Sequence, residues 1–363
     1  VLPGSPAVVE AAGSFTTAEL AGMIENPGYM PLGLPALRCE VAALLTRAGL
    51  PTTDGEVMIT TGAQQAINLV ASVLVRNGDE VLVENPSFSG CLDALRAAGA
   101  RLVPVPMDSD GIDVDAVAGA LDRTSPVALY LMPTYHNPTG ALLSEPRRRR
   151  LARLSAERGL VVIEDNALEH ARFGREMPPR AVASFDAGAP VLTLGSLSMV
   201  LWAGLRVGWV RASEPMIARL VHAKAVHDLG SPVLPQAVAA RLLPRLEEIG
   251  GERGKEQGEH VAHAIRLLRR HLPGWSWQPP AGGLALWVRL PGGDGDEFAQ
   301  VALRHGVEVV PGATMSPDGS FAEHLRLAVI EPELLDEAFA RLGRAWAAYA
   351  PSSPARSDVR VIV

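Results

Sequence analysis

Val191-Leu192-Thr193-Leu194-Gly195-Ser196-Leu197-Ser198-Met199-Val200-Leu201-Trp202-Ala203-Gly204-Leu205-Arg206-Val207-Gly208-Trp209-Val210 is the stretch on which the reading of this chain turns. Two short apolar runs, Val191 to Leu194 and Arg206 to Val210, read as closely spaced strands. Between them lie Gly195, Ser196, Ser198 and Met199. Loops that follow strands are where an open α/β sheet collects its ligands. Met199 is the apolar, thioether-bearing member of this loop. A thioether has no nucleophilic nitrogen and no proton to exchange, so it can neither bond to a carbonyl carbon nor relay a proton.

Outward from this stretch, strands and helices alternate. Val57 to Thr61, Glu80 to Glu84, Arg101 to Val105, Val127 to Met132 and Leu160 to Glu164 are short β-rich runs separated by helical patterns. Ala63 to Arg76 is an apolar-faced helix ended by Asn77-Gly78. Such alternation implies an α/β fold with a mostly parallel sheet covered on both faces. The composition changes after Arg245, where Gly250 to Gly258 reads as a polar, Gly-rich connection. A long helix, strands at 284–290, 307–310 and 324–329, and a last helix from Pro332 to Tyr349 follow. The expected organisation is an N-terminal arm (1–28), a large domain (29–248), a smaller α+β domain (249–350) and a disordered tail (351–363).

Hydrophobic residues make up 48% of the 363, enough for a substantial core, and no uncharged apolar run is long enough to span a membrane. No charged leader followed by an apolar run opens the chain, so a cytoplasmic protein is the expectation. The formal charge of −7 argues against a nucleic-acid partner. The basic run Arg147 to Arg150 reads as a solvated helix face. Cys39 and Cys91 show no metal-ligand spacing and read as structural filler.

Four further segments occupy loops after strands. Thr60-Thr61-Gly62-Ala63-Gln64-Gln65 is a small-residue turn opening a helix, whose N–H groups and dipole suit a phosphate. Glu84-Asn85-Pro86-Ser87-Phe88 follows the next strand, and Pro133-Thr134-Tyr135-His136-Asn137-Pro138-Thr139-Gly140 a later one, with a candidate cis bond at Asn137–Pro138. Ile163-Glu164-Asp165-Asn166 ends another strand. Arg326 lies inside the apolar run His324-Leu-Arg-Leu-Ala, a costly place for a cation unless it meets an anion.

Taken in order, these motifs resemble fold type I pyridoxal phosphate (PLP) enzymes of the class I/II aminotransferase family. They look most like the aminotransferase-like domain of MocR-type regulators in the GntR group. The resemblance covers roughly Tyr29 to Trp346. It implies that Gly62, Ala63, Gln64, Ser196, Ser198 and Arg206 hold the cofactor phosphate, and that Phe88 stacks on the pyridine ring. It also implies that Asn137 lies beside the phenolic oxygen and the substrate carboxylate, and that Asp165 pairs with the pyridinium nitrogen. By the same resemblance Arg326 clamps the α-carboxylate, and Tyr29 reaches the phosphate of a partner subunit, hence a homodimer. MocR-type regulators carry a winged-helix domain ahead of this part, whereas the present sequence starts directly at Val1.

Met199 stands where the resemblance places the lysine that bonds to the cofactor and shuttles the substrate proton. Three readings stay open. The chain is an aminotransferase-like enzyme for an amino acid or 2-oxo acid, with its lysine substituted or with PLP or pyridoxamine phosphate (PMP) held non-covalently. Alternatively it is a PLP-independent enzyme of specialised metabolism reusing the cleft with no cofactor, or a non-catalytic sensor domain. Lys224 is weighed as a substitute base and expected to be solvent-exposed.

Overall fold

The computed structural model describes residues 3–174 and 176–349; the expected tail at 351–363 lies outside the described residues. The central sheet is built from β1 (Val57–Thr60), β2 (Glu80–Asn85), β3 (Arg101–Asp108), β4 (Gly111–Ile112), β5 (Ala128–Leu131), β6 (Val161–Asp165), β7 (Val191–Ser196) and β8 (Gly208–Arg211). Their order is β1-β8-β7-β6-β5-β2-β3-β4. The pairs β2–β3, β2–β5, β5–β6 and β6–β7 are parallel. β8 runs antiparallel to both β1 and β7. The two-residue edge strand β4 is antiparallel to β3. Within the otherwise parallel sheet, it is the reversal at β8 that builds the site.

Alternation along the strands divides the core in two. Leu129 and Leu131 of β5 face one apolar cluster, while Ala128 and Tyr130 face the other. Helices Pro35–Arg47, Val114–Arg123, Glu145–Arg158 and Val233–Leu242 cover the first face. Ala63–Leu74, Ser89–Ala97 and Glu214–His227 cover the second. The central strands β1, β5, β6 and β7 are buried on both faces and so read as continuous apolar runs, whereas β3 near the edge is largely exposed.

A second, antiparallel sheet has the order β11-β12-β10-β9, with β9 Ser276–Trp277, β10 Ala285–Arg289, β11 Val310–Pro311 and β12 His324–Ala328. Helices Leu246–His271, Gly295–Arg304 and Pro332–Ala348 pack on it around a third cluster that includes Trp275, Phe298 and Leu342. The strand expected at 307–310 shrinks to Val310 and Pro311, which pair with Arg326 and Leu325.

Two further expectations are corrected. Gly250 to Gly258 is no connection but part of the 26-residue helix Leu246–His271, which also runs through the boundary expected at 248/249. Gly250, Gly254 and Gly258 recur every four residues and so share one helix face. That face lies against residues 170–173; a Cβ on Gly254 would sit 2.0 Å from the carbonyl oxygen of Arg172. Close approach, not chain breaking, is the reason for these glycines.

The basic run is likewise not one solvated face. Arg147, Arg149 and Arg150 pair at the surface with Asp108, Glu145 and Asp115. Arg148 is fully buried, donating to the carbonyls of Leu143, Pro133 and Arg180 and to Thr134 Oγ1. Burial lowers its pKa, opposed chiefly by Glu164 at 4.0 Å. This arginine braces the loop that leads into Asn137.

Candidate active site

Because β2, β5, β6 and β7 are parallel, the loops after them emerge at one edge of the sheet. The reversed β8 begins at that same edge, and register places Gly208 opposite both Thr60 of β1 and Ser196 of β7. Three distant segments, 60–64, 196–199 and 206–208, are thereby brought together. Their approach is close. A Cβ on Gly208 would lie 2.7 Å from the carbonyl oxygen of Gly195 and 2.8 Å from Gly62 Cα.

A cleft of about 360 Å³ opens at this edge, within the usual range for small-molecule sites. Ala63, Gln64, Ser196, Ser198, Met199 and Arg206 line one part of it. Gly62 precedes the helix Ala63–Leu74 at φ +103° and no side chain caps that helix, which leaves first-turn N–H groups to meet an anion. Arg206 adopts a left-handed φ of 53°, which turns its guanidinium onto the carbonyl of Thr61 at 2.6 Å and toward Ser198 Oγ at 3.4 Å. Ser196 Oγ accepts the N–H of Ser198 at 3.2 Å. The polar groups of this end, two hydroxyls, a guanidinium and the first-turn N–H groups, carry no negative charge and can all donate to an anion.

Asp165, Phe88, Asn137 and Arg326 line the rest, with Met132, Tyr135, Leu168 and the backbone at Gly282 and Gly283. Asp165 is almost fully buried at the end of β6. Tyr130 donates its hydroxyl to one carboxylate oxygen at 2.7 Å, and the N–H of Ala167 meets the other at 2.9 Å. Burial pushes the Asp165 pKa up, and these two donors oppose it. The same burial raises Tyr130 and the neighbouring Cys91 well above their ordinary values, so the phenol remains the donor.

Asn137 precedes a cis peptide bond to Pro138, as expected; a second cis bond, Asn85–Pro86, was not expected. The Asn137 amide oxygen accepts from Arg326 Nε at 2.9 Å. Beneath the loop, Glu84 accepts the N–H of Met132 at 2.7 Å and faces His136 Nε2 at 3.3 Å, and His136 Nδ1 lies 2.9 Å from Thr139 Oγ1. Arg326 is desolvated, which lowers its pKa, and among the described residues no neighbouring charge opposes that shift.

Among the expected site residues, Gly62 sits just behind the lining, against the Arg206 guanidinium, and Tyr29 stands apart: it is 73% exposed and does not line the cleft of its own chain. Lys224 corrects its expectation, being fully buried. Sequence reading missed Tyr130, although a tyrosine in an otherwise apolar buried strand signals a hydroxyl that needs a partner. It also missed Gly282 and Gly283, which only the meeting of the two sheets brings to the cleft. Among the described residues no His/Cys/Asp/Glu group could hold a metal ion, and no helix is long and apolar enough to cross a membrane.

Comparison with known proteins bears on the family and the fold. The chain is 39% identical to 2-aminoadipate transaminase from Thermus thermophilus over 80% of its own length and 75% of that protein's. It is 33% identical to the HTH-type transcriptional regulator YisV from Bacillus subtilis over 72% of its length, spanning 56% of that regulator. Among solved structures, α-aminoadipate aminotransferase from Thermus thermophilus, complexed with N-(5'-phosphopyridoxyl)-L-leucine, superposes with a TM-score of 0.87 at 35% identity, covering 95% of this chain and 90% of that one. Residues 5–342 match the description "Aminotransferase class I and II", and the chain belongs to that family, with the fold type I PLP aminotransferase fold.

Proposed function

We propose that this chain binds PLP or PMP without a covalent link and acts as an aminotransferase-type protein on a small amino acid or its 2-oxo acid. The observation that carries the reading is one cleft holding an anion cradle, a buried carboxylate and a desolvated arginine, with Met199 in its wall. The donor set fits the cofactor. Gly62, Ala63 and Gln64 with Ser196, Ser198 and Arg206 would take the phosphate, because N–H groups, hydroxyls and a guanidinium all complement its charge. Asp165 would hold a proton on the pyridine nitrogen, with Tyr130 and Ala167 aiming its two oxygens. Phe88 would cover a ring face, and Tyr29 would serve the phosphate of a partner in a homodimer.

When bound, the cofactor supplies the electron sink for bond breaking at the substrate Cα. The chain's own residues bind, orient and exclude water. Arg326 and Asn137 would receive the α-carboxylate. Among the described residues that line the cleft, Arg206 and Arg326 are the only arginines or lysines, so these groups favour a neutral side chain over a second acidic one. Met199, in the position where relatives carry lysine by resemblance, offers neither a covalent anchor nor a proton carrier. The methionine also favours a second reading, a sensor that holds the same ligands without turning them over.

Titration of the purified protein with PLP and PMP, followed by absorbance and then by amino-acid addition, tests the proposal. Saturable binding that dialysis reverses is expected, with no pyridoxyl group left on the protein after borohydride. A labelled peptide, or failure to bind either cofactor form, would overturn it. Conversion of an amino acid to its oxo acid separates the enzyme from the sensor.

A further inference from the structure

The helix Glu214–His227 delivers a buried cation that the cleft does not use. Lys224 is fully buried, and its ammonium donates to Gln65 Oε1 at 3.0 Å and to the two oxygens of Asp228 at 3.0 and 2.7 Å. An ammonium has three protons, and these contacts engage all of them, so Lys224 has none to spare for a substrate. Gln65 Oε1 also accepts the N–H of Thr61 at 2.8 Å, and the Gln65 amide nitrogen donates to Asp228 at 2.6 Å. The Thr61 carbonyl in turn accepts from Arg206 at 2.6 Å. A continuous run of polar contacts thus joins Lys224 to the guanidinium of the anion cradle.

The same ion pair reaches in a second direction. Asp228 accepts the N–H of Gly230 at 2.9 Å, closing a turn in which Leu229 and Gly230 take φ of 58° and 137°. A Cβ on Gly230 would lie 2.8 Å from the backbone of Met30, so the turn bears directly on the segment that holds Tyr29.

We propose that Lys224 is a positioning residue for the anion-binding turn at 61–64, acting through Gln65, with Asp228 as the counter-ion that makes its burial tolerable. The proposal rests on the reading of that turn as a phosphate cradle. Gln65 Oε1 receives two donors, Lys224 and the Thr61 N–H, and so fixes the Thr60–Thr61 peptide from beneath. The next peptide, Thr61–Gly62, presents its carbonyl to Arg206, and the two anchored peptides together orient the N–H groups that follow. Without the ammonium, Asp228 loses its cation and Gln65 Oε1 loses one of its two donors, so the amide is held only by Asp228 and the Thr61 N–H. The turn keeps its sequence and loses its aim.

The test uses the full chain and two probes that differ only in phosphate, PMP and pyridoxamine, with affinities read by calorimetry. Lys224→Met keeps the aliphatic stem and removes the charge. PMP binding should weaken about tenfold, the loss of roughly one net hydrogen bond, while pyridoxamine binding stays unchanged. Gln65→Met leaves the ion pair intact and should give the same pattern, which keeps the idea testable if Lys224→Met fails to fold. A merely structural lysine would weaken both probes alike or neither, and either result in both variants overturns the proposal. Wild-type protein that binds PMP no more tightly than pyridoxamine would instead remove the cradle reading beneath it.

Discussion

Replacing Arg326 with methionine should separate affinity from stability. Its guanidinium is desolvated on β12 and meets the neutral Asn137 oxygen at 2.9 Å, and among the described residues no charge offsets the cost. A hydrogen bond from a charged group is worth ~1.5–3 kcal/mol. Desolvating an ion costs several kcal/mol and opposes it. The variant should therefore change stability by less than about 1 kcal/mol, a shift of a few degrees at most in the melting temperature. Binding behaves otherwise. Truncating one partner of a buried charge pair costs ~2–5 kcal/mol, so an α-amino acid should bind on the order of 30-fold to several-thousand-fold more weakly. Calorimetry on cofactor-loaded protein should compare the amino acid with the amine that lacks only the carboxylate. The amine should be indifferent to the substitution. Equal losses for both ligands, or an unchanged amino-acid affinity, would refute the assignment of Arg326 to the carboxylate.

Three more expectations follow from particular contacts. Met199→Lys replaces one unbranched chain by another at a partly buried position and should cost on the order of 1 kcal/mol in packing; peptide mapping after borohydride should then find a pyridoxyl group at 199 that the wild type lacks. Glu169 has a pKa raised to about 7 by burial, against the ordinary 4.5, with Arg148 opposing the shift and Glu247 adding to it. A raised folded pKa gives stability that is full below pH 4.5 and lost as pH rises through about 7, so Glu169→Gln should gain ~1–3 kcal/mol over wild type at pH 8 relative to pH 4.5 in denaturant melts. Gly254→Ala would place a methyl 2.0 Å from the Arg172 carbonyl oxygen and should lose ~1–3 kcal/mol, whereas Gly22→Ala, which meets nothing within 4 Å, should show no loss in the same melt.

The sequence alone determined the sheet and most of the cleft. All the strands of the large sheet except the two-residue edge strand β4 fall on the apolar runs or their immediate continuations, because central strands buried on both faces need unbroken apolar stretches. Small-residue turns and Asn-Pro or Asp-Asn pairs mark the ends of those strands, and parallel pairing carries them to one edge. The ordered motifs therefore predicted a shared site before any contact was known. Residues whose roles depend on partners far along the chain could not be read this way. Lys224 looked like a surface lysine because nothing near it in sequence announces Gln65, 159 positions away. Arg148 sat unremarked in a basic run, since only the fold brings the carbonyls of Pro133 and Arg180 to its guanidinium. The glycines of the helix Leu246–His271 signalled a break because isolated propensity disfavours them, and tertiary packing against residues 170–173 reversed the sign. Local pattern sets which segments are strands, helices and turns; which buried polar groups satisfy one another is decided only when distant segments meet, because a desolvated donor or acceptor must find whatever partner the fold places beside it.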